Sequence, residues 1–117
     1  MTLLDMQHSE RQMMVREIIL AGGSYRLARD ITGLSLGTLR QCVRRDAEVI
    51  SAVNGRHRHD KTKRLEEEMI VRKILLSLVE DLKDGVATSG DLWKIRLIYL
   101  IDRWIYKMNQ PQTRSVH

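Results

Sequence analysis

Two breaks, Gly22-Gly23-Ser24 and Gly33-Leu34-Ser35, constrain this chain more than any other feature. Each joins a residue suited to end one helix to a residue suited to start the next. Glycine takes the left-handed conformation at a helix C-terminus, and a serine hydroxyl accepts from the free N–H groups of the following turn. Between the breaks lies only "YRLARDIT", a short helix with Leu27, Ala28 and Ile31 on one side. Before them, Ser9 to Ala21 places Met13, Met14, Ile18 and Leu20 near helical spacing. After them, a helix is predicted from Leu36 to about Val49, burying Leu39 and Val43 with Cys42 beside them. No segment alternates apolar and polar residues for long enough to make a strand, so the expected class is all-α.

The second half is more apolar and less punctuated. A helix is predicted from about Thr62 to Lys83, with Glu66, Glu67 and Glu68 near its positive N-terminal end. Its apolar surface, which includes Leu75, Leu78 and Leu82, is wider than one stripe. After "DGVATSG", Asp91 starts a last helix running through about Met108. There Trp93, Leu97, Leu100 and Trp104 form one apolar set, and Ile98, Ile101 and Ile105 a second set turned by about 100°. One neighbouring helix covers one stripe. The Thr62–Lys83 helix is therefore expected on one side and another subunit on the other. The predicted assembly residues are Leu75, Leu78, Leu82, Trp93, Leu97, Leu100, Ile101, Trp104 and Ile105. The expected organisation is a helix-turn-helix region over 1–55, a connection over 56–61, a long helical hairpin for assembly over 62–108, and a disordered tail over 109–117.

A length of 117 residues fits one domain, and 43% apolar content argues against disorder throughout. Cys42, the single cysteine, leaves no intramolecular disulfide and no cysteine-rich zinc site. His57 and His59 lack a third partner, so neither a metal nor a cofactor is expected. The opening "MTLLDMQHSERQ" does not have the pattern of a secretory leader, and no run approaches the roughly 18 apolar residues of a spanning helix. A cytoplasmic protein without membrane contact is expected. There is no glycine-rich phosphate loop and no nucleophile elbow, and Glu80, Asp81 and Asp84 fit a solvated helix surface. The chain is not expected to be an enzyme.

Charge points to a partner. Residues 1–23 carry two Arg against three acids, residues 24–64 ten Lys and Arg against four, and residues 65–117 eight against eight. The whole net charge of +5 is thus concentrated around the two breaks. A localised basic field attracts polyanions, and phosphate contacts supply most non-specific affinity for DNA. Two helices joined by a short glycine-containing turn, the second capped by serine, have the geometry of a helix-turn-helix. Its second helix enters the major groove with its N-terminal residues on base edges. Gly37 and Thr38 are small enough to let that turn approach double-stranded DNA. Arg40, Gln41 and Arg44 fall opposite Leu39 and Val43. Arginine pairs bidentately with guanine and glutamine with adenine, which makes Arg40 and Gln41 the base-reading candidates. Ser24, Arg26, Ser35 and Arg45 are placed to hold phosphates.

The run "REIILAGGSYRLARDITGLSLGTLRQCV", residues 16–43, resembles the N-terminal helix-turn-helix of the C subunit of the bacterial flagellar master transcription activator, a family with relatives that switch on conjugation genes of mobile elements. The shared positions are Glu17, Ile19, Gly22, Thr32, Leu34, Ser35, Gly37 and Leu39, or close substitutes. "GDLWKIRLIYLIDRW" resembles, more weakly, a helix in the middle of that subunit. The family also has a four-cysteine zinc site, which a chain with Cys42 alone lacks. The resemblance implies a shortened or divergent activator without zinc. Such a protein would bind promoter DNA as an oligomer or with a partner regulator subunit, and RNA polymerase is a further candidate partner. Phage terminase small subunits, which recognise viral DNA for packaging, also pair a helix-turn-helix with a helical hairpin. A third reading is a protein-interaction adaptor that keeps the shape without binding DNA.

Overall fold

The computed structural model describes residues 3–54, 64–83 and 89–110, and these residues are helical without a strand. Six α-helices follow in order: α1 (Leu3–Leu20), α2 (Tyr25–Thr32), α3 (Leu36–Arg44), α4 (Ala47–Asn54), α5 (Arg64–Lys83) and α6 (Leu92–Met108), with a single 3-10 turn, Ser89–Asp91, before α6. The 56–61 connection, His57, His59, Asp84 and the tail beyond Gln110 lie outside the described residues.

The first break closes α1 with both hydrogen bonds of a Schellman motif. Gly23 N–H donates to the Ile18 carbonyl at 2.9 Å, and Gly22 N–H to the Ile19 carbonyl at 3.0 Å. Gly22 takes the positive φ of 110° that this ending requires. The chain then turns back so that α2 packs on α1.

The expected Leu36–Val49 helix is two helices. α3 stops at Arg44, and Asp46 leaves the helical path to cap α4, its Oδ1 accepting from Val49 N–H at 3.3 Å. The same carboxylate is held by Arg16 of α1, whose Nη1 lies 2.8 and 2.7 Å from the two oxygens. Arg16 also reaches Glu48 at 2.9 Å. The hydrogen bond from Arg16, aided by the N–H of Val49, holds the Asp46 carboxyl below the usual carboxylate range. That contribution is complete above the unfolded Asp value, near about 3.9, and is lost as pH falls through the depressed folded value. Asp46→Ala removes a cap and should cost about 1–2 kcal/mol, whereas Asp46→Asn keeps an oxygen for Val49 and should cost less. In melts stepped from about pH 5 to pH 3, the wild type should lose more stability than Asp46→Asn. Equal losses would mean that the Arg16 contact contributes nothing to folding.

One core runs through the whole molecule. It joins Val15, Ile18 and Ile19 of α1 to Leu27 of α2, Leu39 of α3, Val49 of α4, Val71 and Leu78 of α5, and Leu97 and Ile101 of α6. α1 packs against each of the other five helices, and α6 packs against α1, α2 and α5. Residues of the 1–55 and 62–108 regions thus contribute to one core. Polar ties reinforce this. Glu10 of α1 is buried and pairs with Arg96 of α6 at 3.0 Å, and Gln12 Nε2 donates to the Cys42 carbonyl at 2.7 Å.

Five of the nine predicted assembly residues need correction. Leu78, Trp93, Leu97, Ile101 and Trp104 are buried inside their own chain, Leu75, Leu100 and Ile105 are half-buried against that core, and Leu82 is half-buried. The expectation assumed that only α5 was available to cover α6. In the structure α1 and α2 fold back onto it and supply the missing neighbours. The five buried residues, assigned to another subunit, are interior.

Candidate nucleic-acid interface

The capping chemistry between α2 and α3 fixes their mutual geometry. Ser24 caps α2, its Oγ accepting from Leu27 N–H at 3.1 Å. At the other end Gly33 sits in the left-handed region at φ 75°, and its N–H donates to the Arg29 carbonyl at 2.8 Å. The Thr32 hydroxyl donates to the Ala28 carbonyl at 2.6 Å and accepts from Leu34 N–H at 3.2 Å, tying the turn to the helix it leaves. Ser35 then caps α3, accepting from Thr38 N–H at 3.3 Å, with its Oγ 3.0 Å from the Thr38 hydroxyl. Three residues, Gly33 to Ser35, separate two capped helices that pack on each other and on α1.

α3 presents two distinct sides. Leu39, Cys42 and Val43 are buried against the core. Gly37, Arg40, Gln41 and Arg44 are exposed together with Leu36, and all five fall within an arc of about 140° on the helix. Arg45 follows, also exposed, and Thr38 is half-buried beside the cap. Of the predicted contact residues, the structure thus brings Gly37, Arg40, Gln41, Arg44 and Arg45 onto one open surface.

Three predicted phosphate contacts are otherwise employed. The hydroxyls of Ser24 and Ser35 serve their own helix caps. Arg26 is exposed but pairs at 3.1 Å with Glu67 of α5, whose carboxylate is buried. A buried carboxylate without its cation is costly, so Arg26 is a tie between α2 and α5 rather than a free cation.

The sequence reading missed two other cations. Arg103 and Lys107, one turn apart on α6, line a pocket with Asp30, Thr32 and Gly33 beside the α2–α3 turn. Its apolar floor includes Ile31, Leu100 and Trp104. The i,i+4 spacing of the two cations was visible, but their position beside the turn depends on α6 packing against α2. Arg29 is also exposed on α2.

Nothing else in the described residues offers chemistry of comparable definition. No group of three or more His, Cys, Asp and Glu among them is placed to hold a metal ion, and no helix among them is long and apolar enough to cross a membrane. Burial pushes the Cys42 thiol up, so it is poorly suited to act as a nucleophile. No family model, curated protein or solved structure matches the chain.

Proposed function

We propose that this protein is a transcription regulator that binds double-stranded DNA by laying α3 in the major groove. The observation that carries the reading is the open arc of Arg40, Gln41 and Arg44 on a helix capped at Ser35 and held against α2 by a three-residue turn. A helix that buries one side and offers arginine and glutamine on the other has the donors needed to distinguish base pairs. Arg45 at its end, and Arg103 and Lys107 beside the preceding turn, supply cations for the flanking phosphates. The resemblance of residues 16–43 to an activator subunit supports placing that DNA at promoters.

The test is binding-site selection from random duplexes followed by titration at several salt concentrations. Arg40→Ala or Gln41→Ala should lose about 1–3 kcal/mol at the preferred site while leaving random-sequence affinity in place. Arg45→Ala should weaken all sequences alike and reduce the slope of log K against log salt by about one. Unchanged site preference in both Arg40→Ala and Gln41→Ala would sink the assignment of α3 as the reader.

A further inference from the structure

Of nine large apolar side chains exposed among the described residues, seven lie on α5 and α6, on the sides turned away from the core. On α6 these are Leu92, Ile95, Tyr99 and Tyr106, with exposed Asp102 completing steps of three and four residues. On α5 they are Met69, Leu76 and Val79, and exposed Arg72 and Lys83 complete the same spacing. Leu76 is 71% exposed, Tyr99 65% and Tyr106 67%. A repeat of three and four is the seam along which two helices pack at a shallow angle, and exposed apolar surface gathered in this way marks an interaction site. Each seam also has a charge within it, of opposite sign on the two helices. Neither Asp102 nor Arg72 has an ion-pair partner among the described residues.

We propose that these two seams are one homodimer interface, in which α6 of each copy packs antiparallel on α5 of the other. The register follows from the residues. Aligned antiparallel, Ile95 meets Val79, Tyr99 meets Leu76, Tyr106 meets Met69, and Asp102 meets Arg72, while Lys83, the last residue of α5, meets Leu92 at the end of the seam, where its ammonium reaches water. The alternatives set a charge without a partner inside the seam rather than at its end. Aligned parallel, Asp102 faces Val79 and Arg72 faces Ile95. Two α6 seams packed antiparallel on each other set Asp102 against Ile95, and packed parallel they set Asp102 against its own copy. Two antiparallel α5 seams set Arg72 against Val79. An unpaired charge at the centre of an interface is strongly unfavourable, so charge selects the α5–α6 pairing and its direction.

The arrangement closes. Within one chain α5 packs against α6, and Asp81 near the end of α5 lies 3.6 Å from Lys94 near the start of α6. A two-fold axis running along these helices places each α6 between its own α5 and the partner's, making the contact twice and leaving no free seam. The product is a four-helix bundle with every adjacent pair antiparallel. This interface uses the face of α6 opposite Leu97 and Ile101, and it stands whether or not α3 binds DNA.

The test is sedimentation of the full chain with charge reversal and exchange. The wild type should sediment as a dimer at about 10–100 μM. Asp102→Arg and Arg72→Asp, each alone, should weaken dimerisation at least about tenfold, and the two together should restore it to within a few-fold of wild type. Tyr99→Glu should give a monomer with an unchanged far-ultraviolet helical spectrum, because Tyr99 takes no part in the core. A monomeric wild type at the highest of these concentrations would overturn the proposal. So would a double reversal no better than the single ones, or an open series of larger assemblies.

Discussion

Leu97→Asp should leave this chain unfolded at room temperature. Leu97 is fully buried on α6, in a core shared with Ile18 and Ile19 of α1 and Leu78 of α5. Removing a buried leucine side chain costs about 2.7–5 kcal/mol in transfer and cavity terms. The carboxylate that replaces it must either lose its hydration or take up a proton, which adds several kcal/mol. The sum, upward of about 5 kcal/mol, reaches the entire stability of a typical small domain. Leu97→Ala, without the charge, should fold and lose about 2–5 kcal/mol in urea titration. Arg103→Ala, on the exposed side of the same helix, should shift stability by no more than about 0.5 kcal/mol. A Leu97→Asp protein with a cooperative melt near that of the wild type would mean that α6 is not the centre of the core. Trp104, also buried beside α2, belongs to the same argument. Its replacement by arginine acts on folding and says nothing direct about assembly.

How much of this was legible depended on how local the determinant was. Ser24, Ser35 and Gly33 act within three or four residues of themselves, and the caps and the left-handed turn are found where the sequence places them. The burial of Leu39, Cys42 and Val43, and the exposure of Arg40, Gln41 and Arg44, follow from helical spacing within α3 alone. The break at Arg45-Asp46 did not, because Asp46 is fixed as a cap by Arg16, thirty residues away. Sequence also could not orient α6. Leu92, Ile95 and Tyr99 on its outer face are as apolar as Leu97 and Ile101 on its inner face, so periodicity carries no sign there. The direction came from α1 and α2 folding back, with Arg96 meeting Glu10 and Trp104 lining, with Ile31, the pocket beside the turn. The same fold-back brings Arg103 and Lys107 to the α2–α3 turn and lets Glu67 occupy Arg26. These are long-range contacts, and a pattern read along one helix at a time does not contain them.

Gly23→Val should cost about 3 kcal/mol or more, although glycine here looks interchangeable with its neighbour Gly22. The two residues do different work. Gly22 needs a positive φ, and a β-carbon there would meet nothing closer than 3.6 Å, from Ile70. Gly23 needs room. A β-carbon there would stand 2.7 Å from Ile18 Cγ2, 2.8 Å from the Ile18 carbonyl oxygen and 3.2 Å from Leu27 Cδ2. Ile18 and Leu27 are both fully buried, and the Ile18 carbonyl accepts the bond from Gly23 itself, so neither side chain nor backbone has an easy retreat. Relief requires α2 to move off α1, which also loosens the packing that holds α3 in place. Gly33→Ala is the comparison. It has open space around its β-carbon and bears only left-handed strain, about 1–2 kcal/mol. In thermal melts Gly23→Val should therefore fall well below Gly33→Ala. The reverse order would mean that the turn at Gly33, rather than the α1–α2 crossing, is where this fold has least tolerance.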